Sequence, residues 1–195
     1  MEEMDLKTLL LLLLLRRAGM IGRYRLKEML DMQHREGVVR QILEDLAKRQ
    51  LVRPTRSGCA LTELGGNVVD KLLPEKGVVN VEHLDLRGVS IGPESAVVQL
   101  RNRRISGSIL TLRDMAVKVG ARGAVILTYK NGELGDPLAY RKLSARHPEV
   151  TWILEKSLKL LEDDIVVVGF ADTYPRALEG ALAVAFEIAK SETEK

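Results

Sequence analysis

Seven consecutive leucines, Leu9 to Leu15, constrain this chain more than any other feature of it. A helix with leucine at every position points an apolar side chain in every direction. It cannot lie amphipathically on a small domain and must be buried on more than one side. The run is far short of the roughly 20 apolar residues that span a bilayer. Glu2, Glu3 and Asp5 stand where a secretory signal carries positive charge, and no small-residue cleavage site follows, so a cytoplasmic protein is expected. Asp5 is placed to cap this helix and Gly19 to end it, after Ala18. Its surplus apolar surface calls for cover from either a C-terminal domain or a second copy of the chain.

Composition narrows the class. The chain has 195 residues, 46% apolar and 29% charged, enough for one or two soluble globular domains. One cysteine, Cys59, cannot form an intrachain disulfide. His34, His83 and His147 lie too far apart in sequence to suggest a local zinc site. Leu, Val, Arg, Glu and Lys dominate over Asn and Gln, a thermophile-like balance. The net charge of +3 says little until it is divided. Residues 74–195 hold seventeen Lys/Arg and seventeen Asp/Glu, whereas residues 16–56 hold eleven against five. Base gathered in one short stretch suits a face for an anionic polymer.

That stretch reads as helices and a hairpin. Leu26, Met29 and Leu30 have core spacing in a short helix from Arg25 to Asp31. A third helix is expected over 36–49, its apolar stripe formed by Val38, Val39, Ile42, Leu43 and Leu46. Gly37, Arg40, Gln41, Glu44 and Lys48 share the opposite face. A hairpin follows over 51–61, turning at Thr55-Arg56-Ser57-Gly58, and Thr62 is set to cap the next helix.

Two fragments make residues 1–73 resemble winged helix-turn-helix transcription regulators. Gln41 to Val52 is similar to the end of a recognition helix entering the first wing strand. Leu61-Thr62-Glu63-Leu64-Gly65 is similar to the step that closes the wing in several such families. The resemblance implies a recognition helix in the major groove of double-stranded DNA and a wing on the backbone. Arg40 would then pair with guanine and Gln41 with adenine, with Gly37 allowing close backbone approach. Arg23, Arg35, Arg53 and Arg56 would hold phosphates. Glu44 on the same face argues instead for a protein-binding adaptor.

Residues 74–79 are expected to be a linker, because Pro74 and Gly77 interrupt the helical pattern. Residues 80–195 then alternate strand and helix signals. Strands are read at Val78–Leu86, Ser95–Leu100, Gly123–Tyr129 and Ile165–Phe170, and helices at Thr111–Val119, Thr151–Leu161 and Asp172–Ala189. The whole is therefore an α+β chain of two domains, a winged helix followed by an α/β sandwich with helices packed on a mixed sheet. Arg113 to Ala124, with Asp163 to Ala185, resembles the C-terminal domain of some archaeal winged-helix proteins.

Chemistry is sparse. No Walker loop, GxGxxG, GxSxG or HExxH occurs, so no catalytic residue, metal site or cofactor is assigned and the chain is not read as an enzyme. Arg113, Asp114 and Asp172 lie at loop–helix junctions where a small anionic effector could bind. The competing reading makes Asp172 a helix cap and Arg113-Asp114 an internal ion pair. The expectation is a homodimeric DNA-binding transcription regulator whose second domain dimerises and senses a small molecule. The alternatives are a small-molecule kinase with a fused winged helix and a protein-interaction adaptor.

Overall fold

The structure, a computed structural model, describes residues 4–30, 36–89, 91–138 and 141–190. The chain divides into two compact units, Met1–Leu73 and Pro74–Lys195.

In the first unit, helix α1 (Leu6–Ala18) starts where Asp5 accepts from the Thr8 N–H at 3.0 Å and ends at Gly19, whose φ of +73° suits glycine. All seven leucines are buried within the single chain, so the run needs no second copy to cover it. Strand β1 (Met20–Ile21), helix α2 (Arg23–Met29) and helix α3 (Glu36–Lys48) follow. Strands β2 (Val52–Thr55) and β3 (Gly58–Leu61) form the hairpin, and helix α4 (Glu63–Glu75) closes the unit. The sheet is antiparallel in the order β1-β3-β2, with Met20 opposite Ala60 and Arg53 opposite Ala60 on its other side.

The hairpin joins α4 through Thr62. Its hydroxyl lies 2.6 Å from the Gln50 carbonyl and accepts from the Gly65 N–H at 3.0 Å. Gly65 is packed so closely that a Cβ would stand 2.1 Å from the Leu51 carbonyl oxygen. The Leu-Thr-Glu-Leu-Gly fragment is thus a hinge-free joint: hydroxyl cap and glycine both serve one tight approach of helix to hairpin.

The second unit has five strands, β4 (Val78–Glu82), β5 (Glu94–Leu100), β6 (Gly123–Lys130), β7 (Glu133–Gly135) and β8 (Ile165–Ala171). Its helices are α5 (Ile109–Lys118), α6 (Pro148–Ser157) and α7 (Tyr174–Lys190). The strand order is β4-β5-β8-β6-β7, and every adjacent pair is antiparallel. The expected mixed sheet is therefore corrected. The α5 crossover leaves β5 and β6 parallel but one strand apart, and β8 fills the gap in the opposite direction.

The 74–79 stretch is not a linker either. Pro74 and Glu75 complete α4, the chain turns at Gly77 with a φ of +76°, and β4 already begins at Val78, which pairs with Leu100, while Val79 lies at a bulge in the strand. Proline is tolerated there because only the last turn of the helix remains to be interrupted. The first strand ends at Glu82 rather than Leu86, and α6 ends at Ser157 rather than Leu161.

Strand β8 is buried on both sides. Val166, Val168 and Phe170 join the core beneath α6 with Val97, Leu127, Val150 and Leu154. On the other side α7 lies so near that a Cβ on Gly169 would meet the Ala177 carbonyl oxygen at 2.1 Å. Gly180 plays the same role against α5 and the residues just after it, where a Cβ would stand 3.3 Å from that of Ala116 and 2.6 Å from that of Ala121. At one end of the sheet, Asp164 is buried and accepts from Arg101 Nε at 2.9 Å, Gln99 Nε2 at 2.7 Å and Leu161 N at 2.9 Å.

Candidate nucleic-acid interface

Helix α3 has a simple division of labour. Val39 and Leu46 face the core, while Gly37, Arg40, Gln41 and Glu44 are exposed. This is the period-3.6 pattern carried into structure. Beside it, the β2–β3 hairpin leaves Arg53, Thr55, Arg56 and Ser57 in solvent. The turn is held by Thr55 Oγ1, which lies 3.1 Å from the Gly58 carbonyl and 3.1 Å from the Met20 sulfur. Gly58 itself leaves no room for a side chain, since a Cβ would meet the Ile21 carbonyl oxygen at 2.3 Å. Strand β1, which the sequence pattern did not reveal, thereby supports the hairpin from behind.

Between α3, the start of α2 and the hairpin runs an open groove of about 490 Å³. Arg23, Arg40 and Arg56 all line it. Three of the sequence-selected arginines, far apart in the chain, are therefore brought to one concavity. Gly37 and Gln41 lie on the exposed α3 surface and Arg53 on the hairpin, outside the lining. Arg35 falls outside the described residues. The groove floor is less polar than its rim, with Leu43, Ala47, Val52 and the buried Cys59. Tyr24, 75% exposed, also lines it and was missed by the sequence reading. A lone aromatic in a seven-residue helix gives no periodic signal that could have singled it out.

Arg40 is not idle. Its Nε donates to Glu44 Oε1 at 2.7 Å, one helical turn away. The hydrogen bond and the charge of Arg40 hold the Glu44 carboxyl below its ordinary range, with Lys48 and Arg23 adding to the positive field. The groove thus presents clustered cations with one carboxylate among them. Burial pushes the Cys59 thiol up to about 11, so it stays neutral there.

The second candidate set is dispersed. Arg113 Nε donates to the Ala124 carbonyl at 3.1 Å and so ties α5 to β6. Asp172 pairs with Arg122 at 2.5 Å, and Asp114 is exposed. The expected Arg113-Asp114 ion pair is replaced by these separate attachments, because a guanidinium at the helix–sheet seam finds a backbone carbonyl first. Among the described residues, no group of three His, Cys, Asp or Glu side chains could hold a metal ion, and no helix is long and apolar enough to cross a membrane.

The chain matches no curated protein. It is similar to the solved structure of a hypothetical protein, PH0730, from Pyrococcus horikoshii OT3, with a TM-score of 0.76 and 29% sequence identity over 97% of this chain and 95% of that one. Strands β5 to β8, α5, α6 and most of α7 lie within residues 91–188, which match the family described as "Domain of unknown function (DUF4443)", and the chain belongs to that family.

Proposed function

We propose that the chain is a DNA-binding transcription regulator whose first unit is a winged helix, with α3 as the recognition helix and the β2–β3 hairpin as the wing. The element order helix, strand, helix, helix, hairpin, helix and the three-stranded antiparallel sheet support this reading. The observation that carries it is the convergence of Arg23, Arg40 and Arg56 on one open groove flanked by the exposed face of α3. An α-helix fits the major groove of B-DNA, and phosphate contacts from the flanking arginines would set its register. Arg40 and Gln41 would read base edges, while Arg23, Arg53 and Arg56 would bind the backbone. A homodimer would place two such helices one helical turn of DNA apart, about 34–36 Å.

Selection of bound sequences from random duplexes, repeated at two salt concentrations, tests this. Enrichment of a palindrome is expected, with affinity falling steeply as salt rises. Recovery of no preferred sequence together with salt-independent binding would overturn it.

A protein-binding adaptor is the second reading. Glu44 and the apolar floor of the groove, with the exposed Tyr24 beside it, favour this alternative. Its signature is a partner retained at high salt while duplex DNA is not bound.

A further inference from the structure

A second cavity, of about 270 Å³, opens in the DUF4443 unit between the sheet and α6. Its floor is hydrocarbon: Leu127, Val150, Leu154, Val168 and Phe170. Its mouth is cationic, formed by Arg141, Lys142 and Arg146, with His147 beside them. Lys142 is already neutralised by Glu133 at 2.6 Å. Asp136, the acid at the rim, accepts the Leu138 N–H at 2.8 Å. Neither the Arg141 nor the Arg146 guanidinium has a side-chain partner among the described residues. The N-terminus of α6 meets the same mouth, where His147 is the cap residue and its side chain makes no capping hydrogen bond.

These features are complementary to one kind of molecule. An apolar floor rewards a hydrocarbon body, whereas two guanidinium groups with no side-chain partner among the described residues reward an anion. A cavity of about 150 Å³ with a similar lining accepts benzene, so this one holds a single ring or a short chain together with its charged group. We propose that the second unit binds a small organic carboxylate, its aromatic or short aliphatic body against Phe170 and Leu154 and its carboxylate between Arg141 and Arg146. The site is separate from Arg113, Asp114 and Asp172, none of which lines it. It stands independently of the DNA-binding reading, since nothing in it involves the first unit.

The test is calorimetric titration of the full chain, without DNA, using phenylacetate, 3-phenylpropionate and hexanoate. The uncharged amides of the same acids serve as controls. Saturable binding of at least one carboxylate is expected, at least tenfold tighter than its amide. The double variant Arg141→Gln/Arg146→Gln should lose at least tenfold for that carboxylate and leave the amide unchanged. Both positions are exposed, so the fold should survive, and unchanged circular dichroism verifies this. Equal binding of acid and amide, unchanged affinity in the double variant, or no saturation by any of the three carboxylates would each overturn the proposal.

Discussion

Arg40 and Glu44 form an ion pair across one turn of α3, Nε to Oε1 at 2.7 Å, on the face that the proposed function turns toward DNA. The pair is exposed, with side-chain accessibilities of 65% and 54%, so it contributes little to stability. Its consequence is for binding. A carboxylate facing phosphates opposes association, and it occupies one edge of the guanidinium that would read guanine. Glu44→Gln is therefore expected to tighten binding to duplex DNA by about fivefold to tenfold at low salt, with the gain shrinking as salt is raised. Fluorescence anisotropy with a labelled duplex measures it. Weaker DNA binding in this variant would show that Glu44 accepts from a base instead.

Arg40 and Arg56 line the same groove but should fail differently. Arg40→Ala removes a base-reading fork and is expected to cost about tenfold to a hundredfold on the selected sequence, with little change on random DNA. Arg56→Ala on the hairpin turn removes a phosphate contact. It should weaken both targets alike and reduce the slope of log affinity against log salt by about one. Competition assays over a salt series separate the two. Identical behaviour of the variants would assign α3 to backbone contact only.

Much of this site could be read before any coordinates, for local reasons. The caps at Asp5 and Gly19 and the shared face of Gly37, Arg40 and Gln41 depend only on neighbours a few residues away. The spacing of Arg40 and Glu44 is equally local. What escaped was non-local. Strand β1 is two residues long and exists only because Met20 and Ile21 pair with Ala60 and Cys59. The mixed sheet was expected because α5 lies between β5 and β6, and no pattern in the chain announces that β8 inserts between them. Likewise Arg141 and Arg146 precede the Pro148 that starts α6, but only the fold brings them to the cavity that Phe170 also lines.

Gly65 belongs to the Leu61–Gly65 fragment that resembles wing-closing steps, and packing explains the glycine. Because a Cβ there would stand 2.1 Å from the Leu51 carbonyl oxygen, Gly65→Ala must displace backbone. A loss of about 1–3 kcal/mol is expected. Gly66, with open space around it, is the control: Gly66→Ala should be neutral or slightly stabilising. Thermal unfolding of the two variants side by side checks this. A Gly65→Ala protein as stable as the parent would mean that α4 can move away from the hairpin without penalty.

Asp164 ties the far end of the second unit's sheet together, and it predicts how that unit responds to acid. Burial alone would raise its pKa, but the Arg101 guanidinium, the Leu161 N–H and the Gln99 amide together outweigh burial and leave it lowered. A carboxylate with a lower pKa folded than unfolded adds stability that is fully present above the unfolded value of about 4. That stability drains away as pH falls from there through the folded value. The parent should therefore lose melting temperature steeply below about pH 4, whereas Asp164→Asn should start lower and vary less over the same range. At pH 7 the substitution is expected to cost about 2–3 kcal/mol, less than a fully buried pair, because Arg101 keeps 30% of its side chain in solvent. Melting curves from pH 7 to pH 2.5 decide the matter: parallel acid profiles for the two proteins would transfer the sensitivity to other carboxylates.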